Sequence, residues 1–236
     1  MSSPLLVLWD IDHTLIDTGG VGNEVYAAAF EKVTGQPLKE MPDISGRTEP
    51  AIFREALALH GINDSGDLFT RFAQEQAQGY SYRIAELRER GRALAGAAGA
   101  LQTLSTRGDM IQSVLTGNTR PSAQIKLAAF GLHTYLDLDI GAYGTDSDTR
   151  ADLVDVARQR AAEHTGHTFG PDCTVLIGDT PADVTAAKDG AARIIAVATG
   201  RHSIADLAAA GASTVLADLT DTPALLAALD PGEPSQ

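Results

Sequence analysis

The stretch Leu5–Gly20, LLVLWDIDHTLIDTGG, decides how the rest of the chain is read. An unbroken apolar run over residues 4–9 ends at Asp10 and Asp12. A half-exposed strand would alternate apolar and polar residues, so a continuous run points to a parallel strand buried on both faces. Side chains two residues apart on an extended chain point the same way, which lets Asp10 and Asp12 face a common ligand where the strand emerges. Carboxylates that close are costly unless a cation is bound or one of them holds a proton.

Working outward, similar runs recur at 110–116 (MIQSVLT), 136–144 (LDLDIGAYG), 174–178 (TVLIG) and 193–200 (RIIAVATG). Helical patterns lie at about 97–107, 120–131, 150–165, 181–190 and 203–211, and a last strand–helix unit occupies 213–229. The alternation predicts an α/β fold, an open Rossmann-like parallel sheet covered by helices on both faces. Ligands of such sheets sit beyond the carboxyl ends of the strands. From about Gly19 to Gly91 the alternation stops, and three helical pieces (23–35, 49–61 and 67–91) each close on a glycine. They predict an inserted all-helical cap over 17–94, with hinges at 17–20 and 93–100, on a core formed by 1–16 and 95–230. Residues 231–236, PGEPSQ, are expected to be a disordered tail.

The 236-residue chain carries 31 Asp and Glu against 18 Lys and Arg, a formal net charge of -13. That balance argues against a nucleic-acid or anionic-membrane surface, both of which draw on clustered basic residues. An anionic ligand would have to be met locally, by a metal cation or a few placed basic groups. The single cysteine, Cys173, excludes an internal disulfide and fits a reducing cytoplasm. The apolar run at the start is too short for a signal sequence or a membrane span. His164 and His167 read as solvated surface and Cys173 as packed and inert.

The residues that follow each expected strand form one rim: Asp10 and Asp12; Thr116, Gly117 and Asn118; Asp146, Asp148 and Arg150; Asp179 and Asp183. Hard oxygen ligands on separate loops are what Mg2+ accepts. Asp183 has a structural explanation too, because Thr180 and Asp183 make a capping box. Arg150 opens a helix, where the macrodipole disfavours a cation, and this counts mildly against a purely structural role.

Four motifs now stand in order: DIDHT at 10–14, LTGN at 115–118, a basic residue near 150, and GDTPAD at 178–183. Together they resemble the haloacid dehalogenase superfamily, in particular its phosphoglycolate phosphatase and β-phosphoglucomutase branch with a helical cap after the first strand. The resemblance implies that Asp10 is the nucleophile and becomes an aspartyl phosphate, while Asp12 is the general acid and base. It implies Mg2+ held by Asp10, the backbone carbonyl of Asp12, Asp179 and Asp183. Thr116 and the backbone N–H groups of Gly117 and Asn118 would hold the phosphoryl oxygens, with Arg150 neutralising charge. Gly46 and Arg47, in SGRTEP (45–50), correspond to a substrate-specificity loop. The chain departs from the pattern at His13, where glycine is usual, and at Arg150, where lysine is usual; Lys126 and Lys188 are the other basic candidates.

The implied function is a cytoplasmic, Mg2+-dependent phosphatase of a small phosphorylated metabolite, monomeric or homodimeric. A phosphomutase of the β-phosphoglucomutase type is the alternative on the same core. From a different class comes a non-catalytic phospho-acceptor or phosphate-binding module, such as a receiver domain; the chain's length and its helical insertion count against it. A dehalogenase is disfavoured because Asp12 is present. Dinucleotide binding is disfavoured because DIDHTL, and no Gly-x-Gly-x-x-Gly, follows the first strand.

Overall fold

The computed structural model describes residues 4–64 and 66–230, so the tail expected at 231–236 lies outside the described residues. Strand β1 (Leu5–Trp9) leads into a two-residue strand β2 (Ile16–Asp17). Four helices follow: α1 (Val21–Thr34), α2 (Glu49–Leu59), α3 (Leu68–Tyr82) and α4 (Ile84–Arg90). Strand β3 (Arg92–Ala93) then returns antiparallel to β2. Beyond it come α5 (Ala97–Ser105), β4 (Met110–Val114), α6 (Arg120–Ala129), α7 (Asp152–Thr165), β5 (Thr174–Gly178) and α8 (Pro181–Asp189). The chain closes with β6 (Arg193–Val197), α9 (Ile204–Ala209), β7 (Val215–Leu216) and α10 (Thr222–Leu229). The main sheet has the order β4-β1-β5-β6-β7, and each pairing in it is parallel.

The double burial expected of β1 is realised by its alternation. Val7 and Trp9 pack into one layer with Leu101, Leu104, Leu127 and Leu225, whereas Leu6 and Leu8 pack into the other with Leu153, Val154 and Ala187. Burying each large apolar side chain contributes about 1.5–3 kcal/mol. Trp9 keeps its polar edge satisfied, because its indole N–H donates to Gln112 Oε1 at 3.1 Å. The helices between β2 and β3 carry their own core, in which Phe53 stacks on Phe72 at 4.5 Å and Tyr26 meets Phe72 edge-on at 4.8 Å. At their root, Gly19 has φ +60°, and a Cβ there would fall 2.1 Å from the carbonyl oxygen of Arg90. No helix among the described residues is long and apolar enough to cross a membrane.

Three expectations about elements are corrected. The run 136–144 is not a strand: a 3-10 turn covers Leu132–Tyr135, and only Ala142 bridges to Leu115. The acidic residues there fold back locally, Asp139 N–H donating to Asp137 Oδ1 at 3.0 Å, and such side-chain turns compete with a ladder. The piece 67–91 breaks at Arg83 into α3 and α4. The last strand shrinks to Val215–Leu216, at the sheet edge.

Candidate active site

Asp10 is carried one residue past β1 by its own N–H, which donates to the carbonyl of Ile177 on β5 at 2.8 Å. The chain then turns sharply, with His13 at φ +63°. That left-handed conformation explains why glycine is usual at this position, and histidine is among the side chains that tolerate it. Asp179 likewise stands one residue beyond the end of its strand, β5. Room for it is made by Gly200, where a Cβ would stand 1.9 Å from Asp179 Oδ2. Asp183 sits in the first turn of α8, one carboxylate oxygen accepting from the N–H of Thr180 at 3.0 Å in the capping box. Its other oxygen faces Arg150, whose Nη2 donates to it at 2.5 Å. Capping and site placement are therefore two uses of one side chain.

Asp10, Asp179 and Asp183, at 6 %, 2 % and 0 % exposure, bring carboxylate oxygens within 4.8 Å of one another. Arg150, likewise buried, also lies 3.0 Å from Asp10 Oδ1, and its Nε has no partner. Burial pushes the carboxyl of Asp10 up to about 7; Arg150 opposes this, while the charges of Asp183 and Asp12 add to it. Asp179 is pushed up to about 8 by burial and by Asp10 and Asp183, despite a 2.9 Å hydrogen bond from Thr14 Oγ1.

Asp12 stands apart from this group. Lys126 Nζ lies 3.0 and 2.9 Å from its two oxygens, and Asn118 Nδ2 donates to it at 2.7 Å. Burial alone would raise this carboxyl, but Lys126 and Asn118 outweigh it and hold the group below its ordinary value. Lys126 is itself buried; desolvation would lower it, yet Asp12, Tyr80 and Glu49 keep it above the usual lysine range. Two carboxyl groups two residues apart are thus driven in opposite directions, a common arrangement for separate roles.

The LTGN turn supplies the next wall. Thr116 Oγ1 accepts from Asn118 Nδ2 at 2.8 Å and from Asn118 N–H at 3.3 Å. Gly117 has the carbonyl oxygen of Arg47 where a Cβ would be, 2.0 Å away, and its own carbonyl accepts the N–H of Glu49 at 2.8 Å. The SGRTEP loop therefore rests directly on the turn. Gly46, at φ +64°, approaches α8 so closely that a Cβ would lie 2.2 Å from Ala182 Cβ. The Arg47 guanidinium bonds to the Asp43 carbonyl at 3.0 Å, the Ala51 carbonyl at 3.4 Å and the carboxylate of Glu55.

These residues line a cavity of about 330 Å3 between the strand ends and the helices α1–α3. Asp10, Asp12, Gly46, Arg47, Thr116, Gly117, Asn118, Arg150 and Asp179 face it, and Asp183 lies behind Arg150. Asp146 and Asp148 do not: the first pairs with Arg160 at 2.7 Å and the second with Arg54 at 3.0 Å. Lys188 is exposed and outside the cavity, whereas Lys126 lines it, against Asp12 and not Asp10. Sequence reasoning missed Tyr26, Glu49 and Gln76. An acidic residue in a first helical turn, or polar residues on amphipathic helices, carry no one-dimensional mark of facing a site.

Fold and carboxylate arrangement together define an α/β protein with a parallel sheet, a helical insertion and a buried acidic cluster at the strand ends. A family profile for haloacid dehalogenase-like hydrolases matches residues 7–188, so the chain belongs to that family. A search of curated protein sequences gives no match. Among solved structures, a hydrolase from Pseudomonas syringae is 22% identical with a TM-score of 0.66, covering 96% of this chain and 99% of its own. A predicted phosphoglycolate phosphatase from Haemophilus somnus is 17% identical with a TM-score of 0.68, over 96% and 99%. A CbbY mutant from Rhodobacter sphaeroides, in complex with xylulose-(1,5)bisphosphate, is 18% identical with a TM-score of 0.72, over 96% and 99%. At these identities the likeness shows the shared fold.

Proposed function

We propose that this protein is a Mg2+-dependent phosphatase that hydrolyses a small phosphorylated metabolite through an aspartyl phosphate on Asp10. The observation that carries the reading is the buried cluster of Asp10, Asp179 and Asp183 at the strand ends, with Asp12 held separately beside it. The donor set fits a hard divalent cation, because it is all oxygen and because burial leaves two of the carboxyl groups raised when no cation is counted. Asp10, Asp179, Asp183 and the backbone carbonyl of Asp12 would hold the ion. Bound there, Mg2+ screens the carboxylate from the phosphate and orients the phosphoryl group.

In the first step a carboxylate oxygen of Asp10 bonds to phosphorus as the bond to the alcohol oxygen breaks, and Asp12 gives that oxygen a proton. In the second, Asp12 takes a proton from water, which attacks phosphorus and releases phosphate from Asp10. Its depressed pKa suits the second role. An arriving phosphate dianion raises a neighbouring carboxyl and so favours the first. Thr116 Oγ1, the N–H groups of Gly117 and Asn118, and Arg150 hold the phosphoryl oxygens as charge develops. The SGRTEP loop, with Gly46 and Arg47, shuts out water. One cysteine, half-buried, fits work in a reducing cytoplasm.

The purified protein is expected to hydrolyse an aryl phosphate with Mg2+ and to stop when a chelator is added. Asp10→Asn should fold yet lose at least about 1,000-fold in kcat, the scale seen on removing nucleophiles. Full activity in that variant overturns the assignment. Release of free phosphate, against exchange of sugar phosphate isomers, separates a phosphatase from a phosphomutase.

A further inference from the structure

The helical end of the cavity holds polar groups that the phosphoryl chemistry does not use. Tyr26, on α1, is 5 % exposed and lines the cavity, yet its hydroxyl is buried without any hydrogen-bond partner. An unsatisfied buried hydroxyl costs about 1–3 kcal/mol, so a native fold keeps one where something else satisfies it. Glu49, 7 % exposed, lines the same space, and its carboxylate accepts from Gln76 Nε2. The orientation of Gln76 is fixed from the other side, because its Oε1 accepts from Ser122 Oγ at 3.1 Å. A carboxylate has about four acceptor sites, so Glu49 retains capacity for hydroxyl donors from a ligand.

No cation of the helical segment is free to meet an anion here. Among the described residues, Arg47 is the one basic side chain the segment gives to the cavity, and it is engaged by Glu55 and two carbonyls. Lys126 is held by Asp12 and Asn118. A second phosphate or a carboxylate on the leaving group, placed beside Glu49, would therefore meet no free cation of the helical segment, and Arg201, which completes the lining, belongs to the loop after β6. Met41, Ile44 and Ile52 line the same end and offer apolar surface to C–H groups.

Resting on the phosphatase reading, we infer that the leaving group is an uncharged, hydroxylated molecule, so that the substrate is a sugar or polyol monophosphate bound through Tyr26 and Glu49. The bulk charge of -13 runs in the same direction, since it disfavours a substrate with a second anionic group. Arg201, exposed on the loop after β6, also lines the cavity and is the residue through which a distal anion would be recognised if the inference is wrong.

The test compares a sugar monophosphate, a bisphosphate and a phosphorylated hydroxy acid of equal carbon number. Turnover is measured on the wild-type protein, and binding calorimetry on Asp10→Asn, both with Mg2+. The expected result is a preference of about 10-fold or more for the monophosphate in kcat/KM and in Kd. Glu49→Gln should narrow the gap between monophosphate and hydroxy acid by about 10-fold, the scale of about 1.4 kcal/mol. Tyr26→Phe should erase discrimination between the monophosphate and an analogue lacking one hydroxyl. Tighter binding of the bisphosphate or hydroxy acid, lost in Arg201→Ala, overturns the inference, as do unchanged preferences in Glu49→Gln and Tyr26→Phe. A wild-type protein that releases no phosphate from any substrate refutes the phosphatase reading instead, while the binding preferences still decide this one.

Discussion

At Asp10, the nucleophile proposed above, burial raises the carboxyl to about 7, and the same environment raises Asp179 to about 8. Both lie far above the ordinary value of 3.8, so between about pH 4 and pH 8 the folded protein binds protons that the unfolded chain has released. The sign is therefore unfavourable to the cation-free fold: these two sites stabilise it most below about pH 4 and lose that contribution as pH rises through 7 and 8. A divalent ion that binds the ionised carboxylates reverses the trend, because it competes with protons. Mg2+ at about 100 times its Kd adds about 2.7 kcal/mol, or about 5–10 °C in Tm for a chain of this size. Scanning calorimetry should show the Mg2+ increment larger at pH 8 than at pH 5, with Asp179→Asn removing most of the difference. Equal increments at both pH values would refute the account. These acidic residues were legible in the sequence because each sits one to five residues beyond a buried apolar run. Lys126 was legible only as a spare base, since nothing along the chain shows that its ammonium folds back across α6 onto Asp12.

Among the elements, the N-terminus of α8 and the SGRTEP loop act as a matched pair. Thr180 and Asp183 close a capping box, and the loop touches that turn at Gly46, where a Cβ would stand 2.2 Å from Ala182 Cβ and 2.8 Å from Thr180 Oγ1. Gly46→Ala should therefore hold the loop off the strand ends and lower kcat/KM by about 10-fold or more. Gly35→Ala is the control: its φ of +73° carries similar backbone strain, about 1–2 kcal/mol, but nothing lies within 4 Å of the added methyl. Both variants should lose Tm, Gly46→Ala the more because its methyl also clashes, and only Gly46→Ala should lose activity. Equal kinetics in the two would show that the close approach has no catalytic consequence. The capping box was readable from Thr180 and Asp183, because its signature is local. The β2–β3 ribbon was not, because two residues cannot carry a period, and the run at 136–144 misled because its apolar content hid the local turn made by Asp137.

For the molecule as a whole, the strand alternation and the helical interruption between β2 and β3 showed where the sheet lies, but not how the helices sit upon it. Much of that placement is apolar, because Val21, Val25, Tyr80 and Leu87 pack against Ile125 and Ala129 of α6. Nearer the strand ends the contacts are fewer. The N–H of Glu49 donates to the Gly117 carbonyl at 2.8 Å, Gly46 rests on α8, and Arg54 pairs with Asp148 at 3.0 Å. The ion pair is exposed on both sides and contributes little. A hydrogen bond of the Glu49 kind contributes about 1 kcal/mol net. The covalent connection is a ribbon of two residues per strand, which resists rotation weakly. The SGRTEP end is thus the weakly held part of the closure, and a ligand bridging Thr116, Arg150 and that loop, as proposed above, would deepen the closed state by its differential affinity for it. Amide hydrogen exchange reads this directly. With Mg2+ and orthovanadate, the Glu49 amide should exchange about 10-fold more slowly, while the amide of Val7, in the central strand, exchanges at an unchanged rate. Slowing at both positions would mean global stabilisation, and slowing at neither, with vanadate bound, would mean that the helices do not move against the sheet.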